Sequence, residues 1–502
     1  MNFNEYISHD AIGLAKLIKN KQVHANELIN LAFNRLNEVN DELNIITHSR
    51  EERVKKEALN EITIPNGMFQ GVPILMKNIS QAIEGEPMSS GSKLLKDVTY
   101  KHDNYFVKKF REAGFLFMGH TNTPEFGLKN ITEPQLYGAT HNPWNTLHSP
   151  GGSSGGAAAA IASGVVPLAG ASDGGGSIRI PASFTGLFGI KPTRGRTPVG
   201  PGVGRQWQGA SINFVLSRSV RDSAAMLDQL QVVEPHAAFQ TPLFAGGYLN
   251  DIEKSPEKSL RIAYSTESPV GTPVSEDAKE AVNNLVQLLS NEGHDLEEVQ
   301  APIDGRQLMN DYYIMNSGEM NATILGIENM LNRKLTDDDM EIESWLLHRA
   351  GESVSAAAYS QSLSSWDLAA EKMAYFHQTY DFYITPSTAY SAPRVGELTM
   401  TKEKQEDYKE CIEKASAREK QSIIYDMFLP SLTYTPFTQL ANLTGQPAMS
   451  LPLYLTEQGL PLGVQVMANK GEEHRLLRFA RYLEQSNLWV KVNENPYFNI
   501  SN

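Results

Sequence analysis

Apolar positions along this chain change period several times, and the changes mark out its elements. Leu14, Leu17 and Ile18 share one face of a stretch from Ala11 to Asn20. Leu28, Leu31, Ala32 and Leu36 do the same between Asn26 and Asn40, so two amphipathic helices are expected near the start. The run Val72 to Met76 reads as a strand that ends in Lys77, and Phe115 to Gly119 as a second, buried strand. Between them Asp103 is expected to cap a helix that buries Phe106, Val107 and Phe110 and stops at Gly114. Thr123-Pro124-Glu125 has the form of a cap followed by proline at the first helical position.

Further along, Ser219 and Asp222 form an S-x-x-D cap for a helix running to about Leu230. A strand–helix–strand unit follows. It comprises Leu260 to Tyr264, a helix capped by Ser275 with Ala278, Ala281, Val282, Leu285 and Leu289 inward, and Asp295 to Val299. From about 305 to 430 the pattern is helical and polar, broken by an apolar strand at Phe382 to Thr385. Apolar strands return between Leu443 and Ala468, before a last helix from Glu472 to Glu484. Strands alternating with helices predict an α/β fold: a mixed sheet flanked by helices on both faces, one domain over 1–502, with the mainly helical 305–430 segment inserted as a cover.

The stretch from Ser149 to Pro192 departs from this pattern. It carries no charge as far as Ser172, then delivers Asp173, Gly174, Gly175, Gly176, Ser177 and Arg179 within seven residues. A membrane span needs roughly 20 predominantly apolar residues. Here Gly, Ser and Ala dominate and Pro167 interrupts. The reading is a loop at Gly151 to Ser154, an Ala-rich helix from Gly155 to Ser163 stopped by Gly164, a short strand at Val165 to Ala169, and a second glycine loop presenting Ser177.

With 58 Asp and Glu against 44 Lys and Arg, the net charge of −14 disfavours nucleic acid and acidic membranes as partners. The single cysteine, Cys411, excludes an intrachain disulfide and a cysteine-built metal site, and fits a reducing cytoplasm. The opening MNFNEYISHD lacks a basic region followed by an apolar core, so no secretory signal is read. Asp337-Asp338-Asp339 lacks calcium-loop spacing and reads as the first turn of a helix capped by Thr336.

Glycine loops suggest phosphate, but neither loop has the lysine of a P-loop or the spacing of a dinucleotide fingerprint. Gly151-Gly152-Ser153-Ser154-Gly155 matches the G-x-S-x-G nucleophile elbow, which requires a strand directly before the serine; the preceding residues read as loop. A third reading joins Ser177, Ser153 and Lys77. A lysine can serve a serine as base only when neutral, so its pKa must fall by roughly three units. Burial at the end of its strand and the helix N-terminus at Ser154 would both push it that way, although a lysine just past a strand is also commonly exposed. Asp173 and Arg179 fit a salt bridge stapling the loop, with Gly174 to Gly176 freeing backbone N–H groups for an oxyanion hole.

At these residues the chain resembles the amidase signature family. The resemblance is carried by GGSSGG, ASDGGGSIRIPAS and GLFGIKPTRGR, flanked by GVPILMKN, NTPEFG and GQPAMSLPLYLTEQGLPLGVQVMA. It covers nearly the whole chain and is loosest between about 230 and 430. It implies Ser177 as nucleophile, Ser153 as a bridging serine on a cis peptide, Lys77 as base, and an oxyanion hole on the backbone of Gly174, Gly175, Gly176 and Ser177. Ser154, Asp173 and Arg179 would support them, with no metal and no cofactor. Gly174 stands where many members carry Thr or Ile, which implies a more flexible loop.

The expected ligand is a small-molecule amide and the expected assembly a homodimer. LTDDDMEIESW and YDFYITPSTAYSAPRVGEL resemble the branch acting on linear and cyclic amides, the 6-aminohexanoate cyclic dimer among them. The alternative is the A subunit of a glutamyl-tRNA(Gln) amidotransferase, which has the same triad. Tyr312, Tyr313, Trp345 and Trp366 are either core or the lining of an acyl pocket.

Overall fold

The computed structural model describes residues 1–60 and 63–498. Its strands, in chain order, are β1 (Ile46–Ser49), β2 (Pro73–Lys77), β3 (Leu116–Thr121), β4 (Leu168–Asp173), β5 (Phe188–Lys191), β6 (Ile212–Ser217), β7 (Arg261–Tyr264), β8 (Asp295–Glu298), β9 (Phe382–Pro386), β10 (Ala448–Leu455) and β11 (Pro461–Met467). They form one sheet of eleven strands in the order β1-β3-β2-β4-β6-β5-β10-β11-β9-β7-β8. The sheet is mixed: β2 runs parallel to β3 and β4, and β7 parallel to β8 and β9, while β4, β6, β5, β10, β11 and β9 pair antiparallel in turn.

Every residue of β2, β3, β4, β5, β6, β9 and β11 is buried. Successive side chains of a strand point to opposite faces, so both faces of this sheet are covered. The short edge strands β1 and β8 are partly exposed instead. The Gly155–Ala162 helix is buried at every position; its alanines and glycines let it lie close against β2, β3 and β4. A Cβ on Gly156 would come within 2.5 Å of the Asn122 backbone nitrogen, which is why glycine stands there.

The 305–430 segment contributes the helices Gly305–Leu331, Ile342–Gly351, Ala356–Phe376 and Lys402–Lys414 and most of Ala417–Tyr434. It is not a continuous insertion, because β9 lies inside it and sits between β11 and β7. Its helices carry their own apolar cluster, in which Met320, Ile324, Leu346, Leu347, Ile412 and Ile424 are among the buried members.

Several boundaries differ from the sequence pattern. The helix Tyr105–Glu112 is capped by Asn104, whose Oδ1 accepts from Val107 N at 2.9 Å, and Asp103 instead pairs with Arg111 at 2.6 Å. The strand expected at Val165 to Ala169 is β4, Leu168–Asp173: it begins only after Pro167, and antiparallel pairing with β6 carries it on to Asp173. Pro124 is the N-cap of a single 3-10 turn, Glu125–Gly127, rather than the first residue of an α-helix. The acidic run Asp337–Asp339 is likewise one 3-10 turn, boxed by Thr336. Among the described residues no helix is long and apolar enough to cross a membrane, and no group of three His, Cys, Asp or Glu is placed to hold a metal ion.

Candidate active site

The parallel strands β2 and β4 end side by side, and their last residues meet the two glycine loops. Lys77, at the end of β2, is fully buried, and its Nζ donates to Ser153 Oγ at 2.8 Å and to Ser172 Oγ at 3.0 Å. Burial pushes its pKa down to about 7, while the nearby Asp173 carboxylate pulls the other way. Desolvation is therefore what depresses Lys77.

Ser153 follows a cis peptide bond from Gly152. A Cβ on Gly152 would lie 2.5 to 2.7 Å from backbone atoms of Ile131, so the loop packs directly against that segment. Ser154 is buried and joins the loop to β4: its Oγ donates to Ser172 O at 3.3 Å. No strand precedes Ser153, so the nucleophile-elbow geometry is not formed.

Asp173 and Arg179 are both completely buried and paired at 2.9 Å. Burial raises the pKa of Asp173, but the Arg179 guanidinium and the Asn442 amide outweigh it and bring the carboxyl down to about 2. Asp173 also accepts from Gly176 N at 2.7 Å and Ile178 N at 3.2 Å. The remaining N–H groups of Arg179 go to Thr438 O, Gln465 Oε1 and Asn442 Oδ1, which satisfies all the donors of the guanidinium. This pair is what folds the loop between residues 173 and 179.

The loop uses its own polar groups unequally. Gly176 N–H is taken by Asp173, so it is not free to hold an oxyanion as the sequence pattern implied. Among the described residues the N–H groups of Gly174, Gly175 and Ser177 have no protein acceptor. The loop carbonyls are held: Gly174 O by Tyr312 Oη at 2.9 Å, Gly175 O by Thr438 Oγ1 at 2.6 Å, and Gly176 O by Ile180 N at 2.7 Å.

Ser153, Ser172, Gly174, Gly175 and Ser177 open into one cavity of about 330 Å³. Ser177 Oγ and Ser153 Oγ share this cavity without a direct hydrogen bond among the described residues. Such contacts often close only around a bound substrate. Phe126, Ile180, Trp207, Met309, Tyr312 and Phe428 supply its apolar wall. Phe126 and Trp207 both hold φ at 49°, a left-handed conformation unusual for aromatic residues and concentrated at functional sites. Tyr312 and Tyr313 line the cavity, whereas Trp366 is buried in the core and Trp345 packs among the cover helices. Among the described residues no Asp or Glu lines it, and the one charged residue that does, Lys129, is paired with Glu343 at 3.1 Å.

A family model described as Amidase matches residues 27–477. The chain belongs to the amidase family. Over 489 residues this amidase is 34% identical to the 6-aminohexanoate-cyclic-dimer hydrolase of Paenarthrobacter ureafaciens, covering 96% of this chain and 95% of that protein. It is 38% identical over 492 residues to a lipoamidase of Enterococcus faecalis; the match takes in 98% of this chain but spans only 64% of that longer relative. A solved structure of 6-aminohexanoate cyclic dimer hydrolase complexed with substrate superposes with a TM-score of 0.88 at 32% identity, covering 98% of this chain and all of that one. This amidase is thus a hydrolase acting on amide carbon–nitrogen bonds.

Residues the sequence pattern did not single out also meet here. Ser172 contacts Lys77; Asn442, Gln465 and Thr438 complete the Asp173–Arg179 hub from more than 250 residues away in the chain. Asn442 and Gln465 stand in the apolar C-terminal stretches, where a buried amide flanked by hydrophobic residues is the one available signal.

Proposed function

We propose that the chain hydrolyses neutral, largely apolar amides through an acyl-enzyme on Ser177, with Ser153 and Lys77 as its proton relay. The observation that carries this reading is the buried Lys77 Nζ, 2.8 Å from Ser153 Oγ, beside the cavity that also holds Ser177. Neutral Lys77 accepts a proton through Ser153 as Ser177 Oγ attacks the amide carbonyl carbon. Loop N–H groups of Gly174, Gly175 and Ser177 hold the developing oxyanion. Ser153 then returns a proton to the amine nitrogen as the C–N bond breaks. Water, deprotonated by the same relay, cleaves the ester and releases the acid. The balance needs no metal and no cofactor.

The cavity wall supports this substrate class. A lining of aromatic and Met side chains, with no carboxylate, favours uncharged acyl groups, because burying an unpaired charge there is costly. Relatives named for lipoamide and for the 6-aminohexanoate cyclic dimer are consistent with a medium-length or cyclic acyl chain. A glutaminase role has less support: the α-ammonium of glutamine finds no acidic partner among the described lining residues. A cytoplasmic, homodimeric protein remains part of this proposal.

The test is hydrolysis of a panel by the purified chain alone: an aryl acylamide, octanamide, lipoamide, the cyclic dimer and glutamine, beside Ser177→Ala and Lys77→Ala. Turnover of a neutral amide that both substitutions abolish supports the reading. Activity on glutamine alone, or full activity in Ser177→Ala, overturns it.

A further inference from the structure

Three carbonyls of the glycine loop are held by partners, and two of those partners, Ile180 and Thr438, lie next to the loop or to the Gln439–Thr444 helix of the core. The third is different. Gly174 O accepts from Tyr312 Oη, and Tyr312 belongs to the Gly305–Leu331 helix of the cover. In a trans peptide the C=O of one residue and the N–H of the next point in opposite directions. The Gly174–Gly175 bond is not among the cis peptides, so fixing Gly174 O also fixes where Gly175 N–H points.

Position 174 needs such a hold. Glycine lacks the side chain that would restrict its backbone. A Cβ there would meet Ser211 Cβ at 3.4 Å, an ordinary contact, so the packing does not forbid a side chain; the chain simply carries none. Tyr312 is well placed to compensate. Its ring packs 6.2 Å from that of Trp366, and Asn316, one turn along the helix, is fixed by Trp207 Nε1 at 2.6 Å. A Cβ on Gly175 would lie 3.2 Å from Tyr312 Oη, so the hydroxyl also sits directly against the next residue of the loop.

We infer that Tyr312 is a positioning residue for oxyanion stabilisation: its hydroxyl sets the Gly174–Gly175 peptide plane and makes a formed oxyanion hole depend on the seating of the cover helix. The inference rests on the reading of Ser177 as nucleophile. A cover displaced by even one hydrogen-bond length leaves Gly175 N–H unaligned while Lys77, Ser153 and Ser177 stay in place.

Tyr312→Phe removes the hydroxyl and keeps the ring, and its thermal midpoint is measured first to establish folding. On the neutral amide that the wild type turns over best, kcat is expected to fall by about 10- to 100-fold, less than the roughly 100- to 1,000-fold cost of losing an oxyanion donor outright, because Gly175 N–H is misaligned rather than removed. A trifluoromethyl ketone built on the same acyl group adds Ser177 to form a tetrahedral oxyanion. Its affinity should fall by a similar factor, while the matching secondary alcohol, which forms no oxyanion, binds as to the wild type. A kcat within threefold of wild type overturns the inference, as does equal weakening of ketone and alcohol, which would make Tyr312 only a wall of the pocket. Failure of the underlying reading looks different: the wild type itself would turn over no amide, or Ser177→Ala would retain activity.

Discussion

The protonation of Lys77 sets a measurable limb of the pH profile. A lysine at its ordinary value of 10.5 is neutral in roughly one molecule in three thousand at pH 7, whereas one brought down to about 7 is neutral in about half. The kcat/KM of a non-titrating amide should therefore rise with pH through about 7 and level off above about 8. Replacing Ser172, whose Oγ lies 3.0 Å from Nζ, tests the cause directly. Ser172→Asp places a carboxylate beside the ammonium form. At an effective dielectric constant of about 20 and a separation of about 4 Å, the attraction is about 4 kcal/mol, close to three pK units. Its own burial offsets part of this, so the limb should move up by about two units. Ser172→Asn has nearly the same volume and no charge, and its limb should stay near 7. The assay is initial-rate hydrolysis of a neutral amide from pH 5.5 to 10.5 in buffers of constant ionic strength. Coincident limbs for the Asp and Asn variants, or a wild-type profile flat down to pH 5.5, would refute the assignment of Lys77 as base.

Lys77 also costs stability, because its folded pKa lies below its unfolded one: the penalty is full below about pH 7 and vanishes as pH rises to 10.5. Lys77→Met should abolish turnover yet raise the unfolding free energy at pH 8 by about 1–3 kcal/mol, a gain that urea titrations should find gone near pH 10.5. Arg179→Leu leaves Asp173 buried without its partner and should cost about 3–5 kcal/mol in the same titrations; a loss under 1 kcal/mol would contradict the hub. Gly156→Ala drives a methyl to 2.5 Å from the Asn122 backbone nitrogen and should cost about 1–3 kcal/mol, read as a lowered thermal midpoint.

The parts of the site that lie within one stretch of chain could be read from the sequence because local chemistry determines them. Asp173 and Arg179 are six residues apart, and the glycines between them permit the tight turn that the ion pair closes. Lys77 was recognisable because a lone charge ends an apolar strand. What completes the site comes from afar: Tyr312 lies 138 residues beyond Gly174, and Thr438 263 residues beyond Gly175. Helical periodicity could place Tyr312 on a face but not say what that face meets. Trp207 was missed for a related reason, since its left-handed backbone in a short turn follows no period. Asp103 and Asn104 are both good caps on propensity, and the choice between them was made by Arg111, which claims the aspartate. β4 ran past its expected end because pairing with β6, not its own composition, sets its length.

The position of β9 bears on how specificity can be altered in this scaffold. The chain leaves the sheet, builds the Gly305–Leu331 wall, returns to lay down Phe382–Pro386 between β11 and β7, and leaves again to build the Ala417–Tyr434 wall. Met309 and Tyr313 come from the first excursion, Phe428 and Leu432 from the second, and both pairs face one cavity. The recognition surface is therefore two loops of tapestry stitched down at a common seam rather than one detachable cassette. A graft that imports a relative's substrate preference must exchange both excursions together and leave the seam untouched, because cutting across it would remove an interior strand and detach β7 and β8 from the sheet.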